Sequence, residues 1–436
     1  GVSEFIARRV NMIKRFFAFS LLLSTGLYFS SCTKKPPADD FDLLISSGKI
    51  VDGTGNPWFA GDLGIKGDRI AWIGRLKNVR ARKAIDASGL FVAPGFIDML
   101  GQSETMLLVD KRAMSKITQG ITTEVTGEGE SIAPVNEAIL KDWQPTLDKY
   151  HLTVDWKTLD EYFRRLEREG STINLGTFVG ATQIREYVLG HDDRAPTSDE
   201  LKRMKELVAQ GMREGALGLS TSLVYAPASY AKTEEIVELC KVASEYGGVY
   251  ATHIRNEGNR IFEALGEAVA IAQEAHIPVE VWHLKVAGKP QWGKMGEVVK
   301  FFEEARARGV DITADQYPYF ASATGLSASL PQWAHEGGRE KLLVRLQTPE
   351  TRKRIRDEVL GSSNTQENFY RGAGGAEGIL VASVNSPLLK QYEGKRLSEI
   401  ARHRNKDAVE TMFDLLVEDQ AQVGAIYFSM SEEDVK

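Results

Sequence analysis

The sequence predicts an α/β fold: a TIM-like (βα)8 barrel preceded by a smaller unit of short β-strands. Three observations lead there. First, β-type runs start at Ala216, Val249, Val279 and Val310, at intervals of 33, 30 and 31 residues. Each interval holds one amphipathic stretch such as "TEEIVELCKVASEYG", and strand–helix units of constant length build a parallel sheet. Second, these runs end in Gly, His, Asp and Tyr, as strands do when their carboxyl ends open into a site mouth. Third, residues 42–94 lack the rhythm and alternate β-type runs with Gly, Asn-Pro and Gly-Asp turns. That texture suits a small antiparallel sheet, with hairpins at Asp52-Gly53 and Gly67-Asp68.

In chain order, Met12 opens "MIKRFFAFSLLLSTGLYFSSC", with Lys14 and Arg15 before an apolar run and small residues before Cys32. The run is too short to span a bilayer, which takes about 20 residues. Residues 12–32 therefore read as a secretory signal whose end resembles a bacterial lipobox, with Cys32 as the lipidated residue. The alternatives are plain signal cleavage nearby or a fortuitous apolar start. Residues 33–41 are a polar linker, and 42–94 form the β unit. Residues 95–436 hold the barrel: "GFIDML", "TTEVTG", "INLGTFVG" and, later, "EGILVASV" bring the candidate strands to about eight. Residues 318–375 interrupt the rhythm and read as an insertion placed like a lid.

The chain's 436 residues suffice for one large α/β domain or two ordinary ones. A net charge of −6 argues against nucleic acid and anionic membrane surfaces as partners, leaving a lipid anchor as the only membrane link. Besides Cys32 there is only Cys240, at helical spacing with Ile236 and Leu239, so it reads as a small buried apolar residue. "GEGES" (127–131) lacks the spacing of a phosphate loop.

His253 in "VYATHIRNEG" and His283 in "VEVWHLKVAG" both follow β-type runs and precede helices, so both point into one barrel mouth. Imidazoles so placed suit a divalent ion, commonly zinc. The bland reading of either is a hydrogen-bonded structural histidine. It prevails for His151, His191, His276, His335 and His403, which lie in loops or on helices.

The motifs "VDGTGNP", "GDRIAWIG", "IDASGLFVAPGFID", "QGITTEVTGEG", "GALGLSTSLVYAP", "YATHIRNEG", "WHLKVAG" and "ADQYPYFAS" occur in order from about Asp42 onward. Together they resemble the D-aminoacylase (N-acyl-D-amino-acid deacylase) branch of the amidohydrolase superfamily. The resemblance implies a small β-sandwich flanking a metal-dependent barrel, incomplete in this chain. It also implies a general-base aspartate that would fall beyond Lys436, so no catalytic base is assigned within the chain. The family's His-x-His pair falls here at Leu100 and Gln102, and its metal-binding cysteine at Gly129, between Glu128 and Glu130. The expected metal site is therefore His253, His283 and Glu128 around one divalent ion, zinc by expectation. Alternatively Glu128 is a loop carboxylate that binds nothing. Substrate-binding positions implied by the resemblance are Tyr225, Tyr317, Ser322, Arg255 and Lys285. Arg255 and Lys285 each follow a histidine by two residues and, by strand alternation, would share its face. The aspartate of "ADQYPY", Asp315, is not the catalytic one in relatives.

The expected activity is hydrolysis of the amide of N-acyl-D-amino acids or D-residue peptides by a metal-activated water, on small substrates bearing a free carboxylate. The place of action would be the periplasmic side of a bacterial envelope. Two alternatives stay open: another amide or cyclic-amide hydrolase on the same fold, and a non-catalytic envelope binding protein.

Overall fold

A computed structural model describes residues 41–362 and 366–436. The signal expected over 12–32, with Cys32, and the linker up to residue 40 lie outside the described residues. The chain divides into two compact units after Pro94.

The first unit is a five-stranded sheet of β1 (Phe41–Ile50), β2 (Phe59–Lys66), β3 (Arg69–Gly74), β4 (Ala81–Asp86) and β5 (Phe91–Val92), in the order β3-β2-β1-β4, with β5 also on β1. The Gly67-Asp68 turn joins β2 to β3, with Gly67 in the left-handed region at φ +59° and its N–H on the Asp42 carboxylate at 2.7 Å. One correction applies here. The sheet is mixed, because β1 pairs with β4 and β5 in parallel. After β3 the chain crosses to the far side of β1 before pairing again, and a crossover of that kind gives a parallel partner.

The second unit holds β6 (Phe96–Asp98), β7 (Ile121–Thr126), β8 (Asn174–Thr177), β9 (Val179–Gly180), β10 (Gly218–Ser222), β11 (Val249–His253), β12 (Val279–Val281) and β13 (Ile312–Ala314). All their pairings are parallel and follow chain order. β8 and β9 are one extended segment broken at Phe178, which pairs with β7 on one side and β10 on the other. The wall thus counts seven parallel strands among the described residues, with helices such as Thr233–Glu245 and Ile261–Ala275 packing their apolar faces onto it. Cys240 is fully buried in that layer. Inside the wall, Phe178 and Trp282 meet edge to face at 5.3 Å, with Val125 and Ala251 around them.

The sequence expectation of "EGILVASV" as a barrel strand is corrected. That run is β15 (Ile379–Ser383), which pairs antiparallel with β16 (Gly424–Tyr427), and β16 pairs antiparallel with β14 (Ser322–Gly325). These strands and their helices enclose a core of their own, including Leu346, Ile355, Ile400 and Phe413. The inserted module therefore continues past residue 375 to Tyr427. An apolar five-residue run suits any buried strand, and nothing local tells it which sheet to join.

Candidate metal centre

Each candidate ligand owes its place to a strand end. β11 terminates on His253, and β12 is followed at once by Trp282 and His283. Trp282 plugs the barrel interior, so the next side chain must turn into the mouth. The turn leaves His283 in the left-handed region at φ +39°, uncommon for a residue with a side chain. Asp315, just past β13, holds it there. Its carboxylate accepts from the His283 N–H, and its carbonyl accepts from the Leu284 N–H at 2.9 Å.

Glu128 follows β7 between Gly127 and Gly129. Gly129 sits at φ +69°, and a Cβ on it would lie 2.6 Å from Ser222 Oγ and 2.8 Å from the Ser222 nitrogen. A ligating side chain at 129 has no room, and the neighbouring carboxylate reaches the centre instead. Glu128 Oε1 lies 3.1 Å from His253 Nδ1 and 3.0 Å from His283 Nε2, and the two imidazole centroids are 4.5 Å apart. The ligand atoms of Glu128, His253 and His283 all fall within 4.8 Å of one another. Gln102 stands behind the carboxylate. Its amide donates to Glu128 Oε2 at 2.8 Å and turns the other oxygen towards the rings.

Burial opposes ionisation of Glu128, but hydrogen bonds from His253 and His283 hold its carboxyl well below the usual range. Burial lowers the pKa of His253. For His283, burial and the Lys285 ammonium oppose protonation, yet Glu128 and Glu257 outweigh them and push it up to about 9. One carboxylate and two imidazoles on separate strand ends, nearly free of solvent, are a donor set suited to a zinc-type ion with one position open to the cavity. Anionic Glu128 supplies a negative charge that imidazole ligands do not.

A cavity of about 900 Å³ opens over this centre. Tyr225, Lys285, Tyr317 and Ser322 line it, as does Leu100. Tyr225 packs edge-on to His253, centroids 5.2 Å apart, and Tyr317 stands 6.2 Å from His283. Ser322 comes from β14 and Phe369 from the same inserted module. Arg255 is a correction: it does not line the cavity. It forms a two-pronged pair with Glu267 at 2.9 and 2.8 Å and donates to the Ser229 and Ala231 carbonyls at 3.0 Å each. The cause is that β11 ends at His253 and buried Ile254 turns the chain, so two-residue alternation no longer applies.

Two features escaped the sequence reading. Glu257, four residues after His253, is buried between both histidines and Lys285; an acid that close after a strand-end histidine was the available signal. The cavity also takes in Glu104, Glu130 and Asp142, for which no role was read, and burial pushes Glu104 up to about 7.

Residues 83–434 match the family model described as the amidohydrolase family. The chain belongs to that family. A D-aminoacylase of Alcaligenes xylosoxydans xylosoxydans is 35% identical over 397 residues, covering 91% of this chain and 72% of that one. An N-acyl-D-glutamate deacylase of the same organism is 33% identical over 287 residues, covering 66% of this chain and 58% of its relative. This amidohydrolase also superposes with a TM-score of 0.72 and 29% identity on an N-acyl-D-glutamate deacylase from Bordetella bronchiseptica complexed with zinc and a phosphonate inhibitor. That alignment covers 91% of this chain and 73% of the other.

Proposed function

We propose that the protein is a metal-dependent hydrolase of the amide bond in N-acyl-D-amino acids or D-residue peptides. The observation that carries this reading is the convergence of Glu128, His253 and His283 beneath a cavity that also holds one ammonium, Lys285. Its relatives' substrates, N-acylated D-amino acids, supply the substrate class. Glu128, His253 and His283 would hold the ion, which when bound supplies Lewis acidity for the attack of water on an amide carbonyl. Lys285 offers a charge-assisted contact to a free α-carboxylate. Tyr225 and Tyr317 are kept protonated, mainly by burial, and can donate to the substrate's polar atoms. Phe369 stacks on Tyr225 at 6.3 Å and walls that side against water. Together these groups fix the amide over the centre, and orientation itself lowers the barrier.

The test is turnover of N-acetyl-D- and N-acetyl-L-amino acids by the zinc-loaded protein. D-selective release of free amino acid is expected; equal rates on both enantiomers, or none on either, would defeat the reading. Action at the envelope through a lipidated Cys32 belongs to the same proposal, supported by the basic start, short apolar run and small-residue cysteine box. Mass spectrometry of the mature protein should find an acylated N-terminal cysteine, and an unmodified N-terminus would remove the anchor.

A further inference from the structure

We propose that Glu257 is a positioning residue of the metal centre, whose carboxylate faces the outer nitrogens of both histidines and holds the two rings with their other nitrogens towards Glu128. The proposal rests on the metal-site reading above.

Each imidazole lies between two carboxylates. Glu128 Oε1 is near His253 Nδ1 and His283 Nε2. On the other side, one oxygen of Glu257 lies 3.2 Å from His283 Nδ1 and 3.5 Å from His253 Nε2. The latter nitrogen is buried with no hydrogen-bond partner, so this carboxylate is the charged acceptor facing it. A neutral imidazole carries one N–H, and a nitrogen that ligates must be the bare one. A hydrogen held on the Glu257 side leaves His253 Nδ1 bare towards Glu128.

The two carboxylates are not interchangeable. Glu257 already ion-pairs with the Lys285 ammonium, so its side of the histidines carries a cation. Among the described residues, Glu128 has the neutral Gln102 amide on its second oxygen and no cation. A divalent ion is repelled from the first side and drawn to the second. Lys285 Nζ also lies 2.9 Å from His283 Nδ1, and since an ammonium only donates, Glu257 and Lys285 together occupy that nitrogen and keep Nε2 as the one turned to Glu128.

Glu257 is itself held in place. Only 4% of it is exposed, its N–H donates to Glu367 Oε2 at 2.6 Å, and its carbonyl accepts from the Ala287 N–H at 2.8 Å. One acid thus joins the loop after β11, the loop after β12 and the inserted module. Acceptors behind ligating histidines set ring orientation and ligand basicity, and losing one typically costs 10–100-fold in metal affinity.

The experiment measures zinc dissociation constants by chelator competition for wild type, Glu257→Gln, Lys285→Met and the double variant. Glu235→Gln is the control, since Glu235 is a buried acid paired with Arg185 at 2.8 Å and does not line the cavity. Melting of each metal-free protein is followed in parallel. Glu257→Gln should weaken zinc about tenfold or more, and the loss should persist in the Lys285→Met background. Glu235→Gln should lower the melting temperature yet keep zinc affinity within about twofold. Should Glu257→Gln not fold, Glu257→Asp keeps the charge but withdraws it from the rings, and its cobalt(II) absorption bands should shift from wild type. Unchanged zinc affinity in Glu257→Gln, an unchanged cobalt spectrum in Glu257→Asp, or a loss that disappears when Lys285 is also removed would each overturn the proposal. If wild type binds zinc and only these arms fail, the inference alone is lost. If wild type binds none, the metal-site reading falls with it.

Discussion

Arg255 and Lys285 stand two residues beyond the two site histidines, yet the structure gives them opposite duties. After β11 the chain tucks Ile254 into the core, and Arg255 ties that loop to Glu267 and two carbonyls. After β12 the chain passes through the left-handed turn at His283 and delivers Lys285 into the cavity. The difference teaches that the path of a chain beyond a strand end depends on the plug beneath it. Trp282 fills the barrel interior at one site, and at the other the chain turns on Ile254.

The comparison can be broken or sharpened in five ways, beginning with its shared premise that both histidines serve one ion. His253→Ala and His283→Ala should each empty the site by metal analysis. Both should lower kcat roughly a thousandfold or more, since Lewis-acid stabilisation supplies several kcal/mol. Full metal content in either variant would end the premise. Glu128→Gln keeps the shape and removes the charge, and should weaken zinc about tenfold or more, because a neutral amide is a poor ligand. If it binds as tightly as wild type, Glu128 is a bystander.

The cations themselves come next. Lys285→Met should lower kcat/KM for N-acyl-D-amino acids about 10–100-fold, the worth of one charge-assisted hydrogen bond, and much less for the corresponding amides. Arg255→Met should leave that acid-to-amide ratio alone. It should instead cost about 2–3 kcal/mol of stability, since it strands a largely buried carboxylate at Glu267. A changed ratio in Arg255→Met would return the arginine to the substrate pocket.

The smallest effect is a pH dependence. Glu367, which accepts from the Glu257 N–H, has its pKa pushed up to about 8 by burial and then by the Glu257 carboxylate. Between its ordinary value of 4.5 and about 8 the folded protein keeps a proton that the unfolded chain releases. Stability should therefore fall as pH rises through that window. Melting temperatures of Glu367→Gln, which has no proton to lose, should decline less across it; parallel curves would show that Glu367 does not titrate there.

Much of this was legible in the sequence. The 30-residue rhythm marked the parallel strands, and the matched positions of His253 and His283 marked the mouth, because strand ends and their order are local properties. That the family's ligand pair falls at Leu100 and Gln102 rests on the resemblance alone, and what the structure adds is the Gln102 amide on Glu128. What stayed hidden was three-dimensional. Whether Arg255 continues an alternation depends on where β11 stops, and that is fixed by the packing of Ile254. Glu257 looked like one more loop acid until two strands brought their histidines to it. The partner of β15 lies some 45 residues on, at β16, and β16 pairs in turn with β14, about 100 residues before it, distances over which a short apolar run carries no address.

The module enclosed by β14, β15 and β16 has a further consequence. It lends Ser322 and Phe369 to the cavity but keeps its own hydrophobic core, so that wall of the cavity and the groups that gather at Glu128 answer to different packing constraints. Sequence change inside the module can reshape one wall without disturbing Trp282 or the turn it sets. Apart from the link of Glu367 to Glu257, one wall of the cavity can therefore change while the metal centre stands still.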